Sequence, residues 1–353
     1  MAQQTKEQLR VVAIGGGTGL STLLRGLKQF TKPPQGFTSA PGAHKFPCLI
    51  GDLSAIVTVT DDGGSSGRLR EDLNILPPGD IRNCLVALSE DEHLLSRLFQ
   101  HRFEQGDIGG HNFGNLFVAA LSAITGDFAQ AVQTASQILA TRGRIFPATT
   151  ANARLTALMD DGSIVRGETN ITASKRSIQE LMLEPADAQP LPEALEAIAA
   201  ADIITLGPGS LYTSLITNLL VRGIPEALAT SNATRVYICN LMTQANESLG
   251  LTASQHIEKI LDHAGAQIFD YAIINTAPIL PATLEQYARF GQAPIEADLD
   301  RVRALGVEPI TGNFLHEGDV LRHGYEQVAE IVLHLPRRVA ALAQKNYCGL
   351  GHN

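Results

Sequence analysis

The first stretch that could do chemistry is a glycine-rich turn between an apolar strand pattern, Val11 to Ile14, and an amphipathic helical pattern that begins at Leu20. Glycine lets the main chain adopt left-handed conformations and lets a phosphate approach the N–H groups at a helix start. The turn lacks the third glycine of the dinucleotide fingerprint and the Gly-Lys-Ser/Thr of the P-loop, so it predicts either another kind of anion site or a turn needed only for packing. The candidate ligand-binding residues here are Gly15, Gly16, Gly17, Thr18 and Gly19.

Two adjacent carboxylates follow the second strand pattern, Ser54 to Thr60, where doubly wound folds place acids that bind ribose or a metal. Neighbouring side chains in extended backbone point in opposite directions, so the two acids are expected to have different roles. The glycine- and serine-rich run after them could form a nest for a second anion, or the whole could be a solvated Asp-Gly turn. The candidates are Asp61, Asp62, Gly63, Gly64 and Ser65, with Asp61 and Asp62 as the residues that could hold Mg²⁺.

Two further polar turns precede helical patterns. In "PPGDIRN", Asp80 and Arg82 are candidates, although Asp80 could simply cap the helix. In "GGHNFGN", the candidates are His111, Asn112 and Asn115, although Asn112 is a natural helix cap and a lone histidine is often structural. We expect these loops to converge on one crevice.

A second phosphate-type turn lies in "LGPGSLYTS", between a strand pattern at Ile203 to Leu206 and another helix. Carboxyl ends of parallel strands share one edge of a sheet, so this turn should face the same crevice as the first. Two such turns would suit a diphosphate or a nucleotide with a second ligand. The candidates are Gly207, Pro208, Gly209 and Ser210, together with Asn240 and Thr243 after the next strand, where ordinary loop polarity is the alternative.

Six segments, in this order along the chain, resemble the bacterial gluconeogenesis factor family, which lies in the CofD-like group with 2-phospho-L-lactate transferase. They are AIGGGTGLSTLLRGLK, AIVTVTDDGGSSGRLR, PPGDIRNCL, GGHNFGNL, LGPGSLYTS and FDYAIINT. The resemblance covers about Val11 to Leu335 apart from residues 31–51. It implies a Rossmann-like nucleotide-binding domain and affinity for UDP-sugars, notably UDP-N-acetylglucosamine. It also implies a regulatory role in cell shape and peptidoglycan synthesis during growth on gluconeogenic carbon sources.

The resemblance also carries over two ligand contacts, Tyr287 and Arg322, from the segments "LEQYARFGQAPIEAD" and "VLRHGYEQVA". A tyrosine ring can stack on uracil or pack on ribose, and a guanidinium suits a diphosphate. The alternatives are a half-buried helix residue for Tyr287 and a surface charge for Arg322.

The transferase branch differs from this chain at an informative place. That branch has Gly-Asp-Asp after the second strand, then a histidine, then a Pro-Asp-x-Asp segment, whereas here Thr60 replaces the glycine, "GGSSGRLRED" has no histidine and "PPGDIRN" replaces the acidic segment. We therefore expect a binding protein that requires no cofactor. The alternatives are a Mg²⁺-dependent transferase acting on a nucleotide-linked donor and, more weakly, a dinucleotide binder.

Strand and helix patterns alternate along the 353 residues, of which 44% are hydrophobic and 32 are glycine. This pattern predicts an α/β fold: a Rossmann-like, doubly wound, mostly parallel sheet with a small antiparallel β excursion. The predicted organisation is a disordered N-terminus (1–10), one nucleotide-binding domain (11–335) with a surface insertion (31–51) and a β-hairpin excursion (about 150–175), and a C-terminal helix and tail (336–353).

Net charge and cysteine content bound the partners and the compartment. A formal charge of −9 argues against bulk binding of nucleic acid. Four cysteines without a C-x-x-C pair indicate reduced thiols, and the sequence has neither a signal-peptide pattern nor an apolar run long enough to span a bilayer. We expect a cytoplasmic homodimer that binds a UDP-sugar and signals to an unidentified cell-wall or metabolic protein.

Overall fold

A computed structural model describes residues 8–33, 46–90, 92–174, 176–245, 247–318 and 320–336. Twelve strands are found in these residues. They are β1 (Leu9–Gly15), β2 (Ile50–Val57), β3 (Arg144–Pro147), β4 (Arg154–Met159), β5 (Ile164–Arg166), β6 (Ile178–Glu184), β7 (Ile203–Leu206), β8 (Thr234–Ile238), β9 (Tyr271–Asn275), β10 (Glu308–Gly312), β11 (Leu315–His316) and β12 (Arg322–His323).

Fourteen α-helices and one π-helix connect these strands within the same residues. The α-helices are α1 (Gly17–Lys28), α2 (Gly64–Leu73), α3 (Gly79–Leu88), α4 (Glu92–Gln100), α5 (Phe113–Thr125), α6 (Phe128–Ile138), α7 (Glu168–Ala173), α8 (Pro192–Ala200), α9 (Thr217–Leu219), α10 (Ile224–Thr230), α11 (Ala253–Ala264), α12 (Pro281–Ala288), α13 (Leu299–Ala304) and α14 (Tyr325–His334). The π-helix, Leu211–Ile216, runs directly into α9.

Seven strands form one parallel sheet in the order β10-β9-β8-β7-β1-β2-β3. Alternate side chains of the central strand β1 enter two different cores: Val12 and Ile14 pack in one, Val11 and Ala13 in the other. A strand buried on both faces reads as a continuous apolar run, which is why the sequence identified it. The Rossmann-like α/β prediction is confirmed.

The antiparallel excursion is also confirmed, and it is larger than expected. β4 pairs with β5 across the Asp161-Gly162 turn, and β6 pairs with the other edge of β4. The helical patterns beginning at Ile81 and at Asn115 each form two helices rather than one. In the second, Gly126 adopts a left-handed conformation that ends α5, and the Asp127 side chain caps α6.

Several predicted boundaries move. The first strand begins at Leu9, inside the segment expected to be disordered, and Ile50 and Gly51 of the expected insertion belong to β2. Residues 1–7, 34–45 and 337–353 lie outside the described residues. Within the described part of the chain, no single helix is long and apolar enough to span a membrane; only α5 and α6 taken together are, and they are bent by 120° at their junction.

Candidate functional site

The two predicted glycine turns lie side by side at the carboxyl edge of the sheet. They follow the neighbouring strands β1 and β7, whose pairing places Ile14 opposite Leu206. A Cβ built on Gly19 would overlap the Pro208 carbonyl group, so only glycine permits this close approach of the two backbones. The buried Asn218 side chain ties the turns further, because its Nδ2 donates to the Gly15 carbonyl at 3.2 Å and to the Ser214 carbonyl at 2.7 Å.

A cleft of about 410 Å³ opens over the two turns. Its walls contain most of the residues predicted on this side, from four separate loops of the sheet edge and from the C-terminal hairpin β11–β12. Gly15 ends β1, Gly207 directly follows β7, and neither residue lines the cleft. The predicted residues that line it are Gly16, Gly17, Thr18, Gly19, Pro208, Gly209, Ser210, Asn240, Thr243, Tyr287 and Arg322.

The side-chain amides of Asn240 and Gln244 fix the conformation of the second turn. Asn240 brackets Gly209 by accepting its N–H at 3.3 Å and donating to its carbonyl at 2.8 Å. Gln244, which the sequence analysis missed, donates to Ser210 Oγ at 2.9 Å. The Thr243 hydroxyl has a structural partner, because it accepts a hydrogen bond from the Ala293 N–H at 3.0 Å. These bonds fix the turn without using its apolar Pro208 face.

Tyr287 and Arg322 stand at the opposite wall of the cleft. The Tyr287 hydroxyl accepts the Leu321 N–H at 3.2 Å, which fixes the ring against the hairpin that carries Arg322. Arg322 itself is exposed, whereas its neighbour His323 is buried and donates from Nε2 to the Cys239 carbonyl at 3.0 Å. Burial lowers the pKa of His323 to about 4, against the opposing effect of that hydrogen bond, so the ring is neutral at pH 7. Arg322 is thus the cationic side chain of this wall.

The predicted acids form a separate cluster on the other side of the first turn. Asp80 receives the Gly17 N–H, and a Cβ on Gly16 would lie 2.8 Å from Asp80 Oδ2. Asp61 Oδ1 accepts the Gly63 N–H at 2.9 Å, while Asp62 Oδ1 accepts the N–H and hydroxyl of Thr169 at 2.8 and 2.7 Å. The two aspartates therefore have different partners, as expected. Asp80 does not cap α3, because Pro78 holds the cap position.

Burial changes the protonation of this cluster. It raises the pKa of Asp80 to about 6, an effect that the Gly17 hydrogen bond opposes and the Asp61 charge reinforces. Burial, followed by the charges of Asp61 and Asp80, holds the pKa of Glu168 well above its usual range. Glu168 was not predicted, because it begins the short helix α7 in a segment without a motif, far along the chain from Asp61.

The side chain of Glu247, which was also not predicted, lies at the start of the π-helix Leu211–Ile216 that follows the second turn. It accepts the Tyr212 N–H at 3.3 Å and the Thr213 hydroxyl at 2.9 Å. Burial raises its pKa, although those hydrogen bonds oppose the rise. The Glu247 carboxylate therefore accepts hydrogen bonds at the helix start where the sequence predicted a phosphate.

The remaining candidates converge on Ser65 at the start of α2. Ser65 Oγ accepts from the Asn112 N–H at 3.3 Å and from Asn115 Nδ2 at 3.2 Å, and lies 3.2 Å from His111 Nδ1. Arg82 joins the group by donating to Asn115 Oδ1 at 3.0 Å. Burial, and secondarily the Arg68 charge, lowers the pKa of His111. The neutral ring can therefore accept a hydrogen bond from the Ser65 hydroxyl. Asn112 caps α5, as its alternative interpretation held.

In the described ranges, no three His, Cys, Asp or Glu side chains are arranged to hold a metal ion. Asp61 and Asp62 each spend one carboxylate oxygen on the protein's own donors. The residues present thus do not fit a preformed Mg²⁺ site.

The sequence of this chain is similar to those of known proteins. The family model described as 2-phospho-L-lactate transferase CofD matches residues 11–315. The chain belongs to the CofD family. A protein named gluconeogenesis factor from Halalkalibacterium halodurans is 47% identical over 336 residues, covering 95% of this chain and 98% of the relative. Another of that name from Bacillus subtilis is 43% identical, covering 92% and 98%.

Solved structures agree with this family assignment. A crystal structure of a UPF0052 family protein from Bacillus halodurans matches with a TM-score of 0.85 at 48% identity, covering 93% of this chain and all of that one. The predicted resemblance to gluconeogenesis factors is confirmed.

Proposed function

We propose that this gluconeogenesis factor homologue is a regulatory protein that binds a UDP-sugar, UDP-N-acetylglucosamine in the first instance. The observation that carries the proposal is the cleft in which two glycine turns face Tyr287 and Arg322. Its volume falls in the range of about 300–1,000 Å³ typical of small-molecule sites.

The diphosphate would lie over the start of α1. The N–H groups of Thr18 and Gly19 belong to the first helical turn and have no intrahelical carbonyl, while Asp80 takes the Gly17 N–H. Arg322 supplies the positive charge from the facing wall. Because the Tyr287 hydroxyl already bonds the Leu321 N–H, its ring face is the part left for uracil or ribose.

The proposed regulatory role is supported by the resemblance in motifs to the gluconeogenesis factor family, the name that the relatives carry. We propose that the liganded protein acts in the cytoplasm, as a homodimer, on cell-shape control and peptidoglycan synthesis during gluconeogenic growth, through a protein partner of the cell-wall or metabolic machinery. No cofactor is required in this proposal.

Calorimetric titration with UDP-N-acetylglucosamine, with and without Mg²⁺, tests the binding. Saturable binding with recovery of intact ligand is expected, and Tyr287→Ala and Arg322→Ala should each weaken it at least tenfold. Arg289→Ala is the matched control, because Arg289 is exposed at the end of α12 and does not line the cleft. A folded protein that does not bind, or that binds equally well in all four forms, contradicts the proposal.

A transferase that acts on a nucleotide-linked donor remains the second candidate, and the acidic cluster beside Gly16 and Gly17 favours it. Because the described residues form no preformed Mg²⁺ site, a metal ion would have to arrive with the donor. Asp61, Asp80 and Glu168 interact electrostatically there, within reach of the glycine turn. Turnover of a nucleotide-linked donor that needs Mg²⁺ and is lost in Asp62→Asn would establish this activity. Full recovery of the intact donor after long incubation would exclude it for that donor.

A further inference from the structure

A second and larger cavity has a volume of about 700 Å³. It follows the free edge of β3, the last strand of the seven-stranded sheet, between α6 and the start of α8. None of its lining residues belongs to the glycine-turn cleft or to the acidic cluster. We call it the edge groove.

The backbone of β3 offers hydrogen-bonding groups to this groove. The Ala148 N–H donates to the Val57 carbonyl of β2 at 2.8 Å, and peptide groups alternate along a strand. The N–H and C=O of Ile145 therefore point to the free edge, and no partner there is found in the described residues.

Just beyond β3, another segment of the chain already pairs with this edge. Thr149 and Pro190 form an antiparallel bridge, and Thr149 Oγ1 donates to the Gln189 carbonyl at 2.6 Å. The segment that makes this bridge then leaves the edge at Leu191 to enter α8, and the groove begins there. The edge is therefore open to strand pairing where the chain stops using it.

A row of glutamines faces the edge from α6. Gln130, Gln133 and Gln137 are exposed and spaced by three and four residues, so they share one helical face, and all three line the groove. A glutamine amide both donates and accepts, which is what the outer edge of an added peptide strand requires. Alanines and Leu191 form apolar wall between the strand and this row.

The charges at the groove favour an occupant that carries basic side chains. Arg144 is paired with Asp52 at 2.5 Å, so its charge is compensated. Asp127 and Glu193, at the starts of α6 and α8, place two carboxylates on the rim.

From these observations we propose that the edge groove binds an extended peptide segment of a partner protein, carrying lysine or arginine side chains, as an added strand on β3. One edge of the peptide pairs with Ile145, and its other edge with the glutamine row. Such strand addition takes its affinity from main-chain hydrogen bonds.

The probe is the peptide acetyl-KTVTVTK-amide carrying a fluorophore, titrated by anisotropy against the full-length protein. Saturable submillimolar binding is expected. Gln133→Ala combined with Gln137→Ala should weaken it about thirtyfold, because two lost hydrogen bonds contribute on the order of 1 kcal/mol each and 1.4 kcal/mol corresponds to about tenfold. Gln100→Ala, an exposed helical glutamine outside the groove, is the control and should leave binding unchanged.

Amide hydrogen exchange separates strand addition from binding by side chains alone. At saturating probe, exchange of the Ile145 N–H should slow at least tenfold. Absence of saturable binding, or binding that leaves Ile145 exchange unchanged, overturns the proposal. Self-association of the free protein that the double glutamine variant abolishes would also overturn it, because the occupant would then be a second copy of the chain.

Discussion

Gly19→Ala tests the central feature of the cleft, the direct contact between its two turns. The added Cβ would lie 2.6 Å from the Pro208 carbonyl carbon, 3.0 Å from the Gly209 nitrogen and closer still to the Pro208 oxygen. All three atoms are backbone, so no side chain can rotate away to relieve the overlap. The two turns must therefore separate.

The expected loss of stability can be worked out from this contact. Overpacking against backbone costs about 3 kcal/mol, and the better helix propensity of alanine returns about 1 kcal/mol. For 353 residues with about 2.1 cal/mol/K of unfolding entropy each, 1 kcal/mol corresponds to about 1.3 °C. The net loss of about 2 kcal/mol should lower the melting temperature by about 3 °C, which calorimetry can measure. If the turns hold the diphosphate together, affinity for UDP-N-acetylglucosamine should fall at least tenfold in the same protein.

Gly15→Ala is the matched control in the same turn. Its Cβ would make ordinary contacts, 3.6 Å to Leu20 Cβ and to Leu215 Cδ2, and Gly15 does not line the cleft. Its melting temperature should match the wild type or rise slightly, because alanine restricts the unfolded chain. If Gly19→Ala is as stable as Gly15→Ala and binds as tightly, the turns do not meet as described.

Three other substitutions address buried polar groups. Asp80→Asn tests the raised pKa of Asp80. The unfolded chain releases this proton near pH 3.8 and the folded chain only near pH 6, so the stability of the wild type relative to the variant should fall by about 2 kcal/mol from pH 4 to pH 7. A difference that stays constant with pH in urea melts would contradict this. His256→Gln should make the protein less sensitive to acid. Burial lowers the pKa of His256 to about 4, so the free energy of unfolding of the wild type should fall by about 3 kcal/mol between pH 6.5 and pH 4. An equal loss of stability in both proteins over this pH range would refute the reasoning. Asn218→Leu should cost about 2 kcal/mol for its two hydrogen bonds, and an unchanged urea midpoint would show that they do not stabilise the turns.

The sequence predicted the central strands well because their burial imposes a visible pattern. β1, β7, β8 and β9 are buried apolar runs followed by turns, and the Asp161-Gly162 turn marked the β4–β5 hairpin. The edge strand β3 was missed, since half of its residues face solvent or pack loosely and its four residues include arginine and proline. The π-helix was also invisible, because its sequence has the same apolar content as an α-helix.

The candidate site could be predicted loop by loop but not as an arrangement. Edge topology correctly brought the two glycine turns together. Tyr287 and Arg322, which came from the family resemblance, line the cleft, and their contact with a ligand stays a prediction. The partners Glu168 and Glu247 could not be predicted, because each reaches its turn from a distant segment with no motif of its own. Their role depends on the desolvation that only the folded chain creates.

The pairing of β1 with β7 has a consequence for how the chain unfolds. Strands β1 to β3 come from residues before 148 and strands β7 to β10 from residues after 202, so the main sheet consists of two contiguous stretches of chain joined along a single strand pair. The cleft lies across that seam. A molecule held by both turns is therefore a crosslink between the two stretches, and it should slow proteolysis of the connecting segment 148–202 as well as raise the melting temperature.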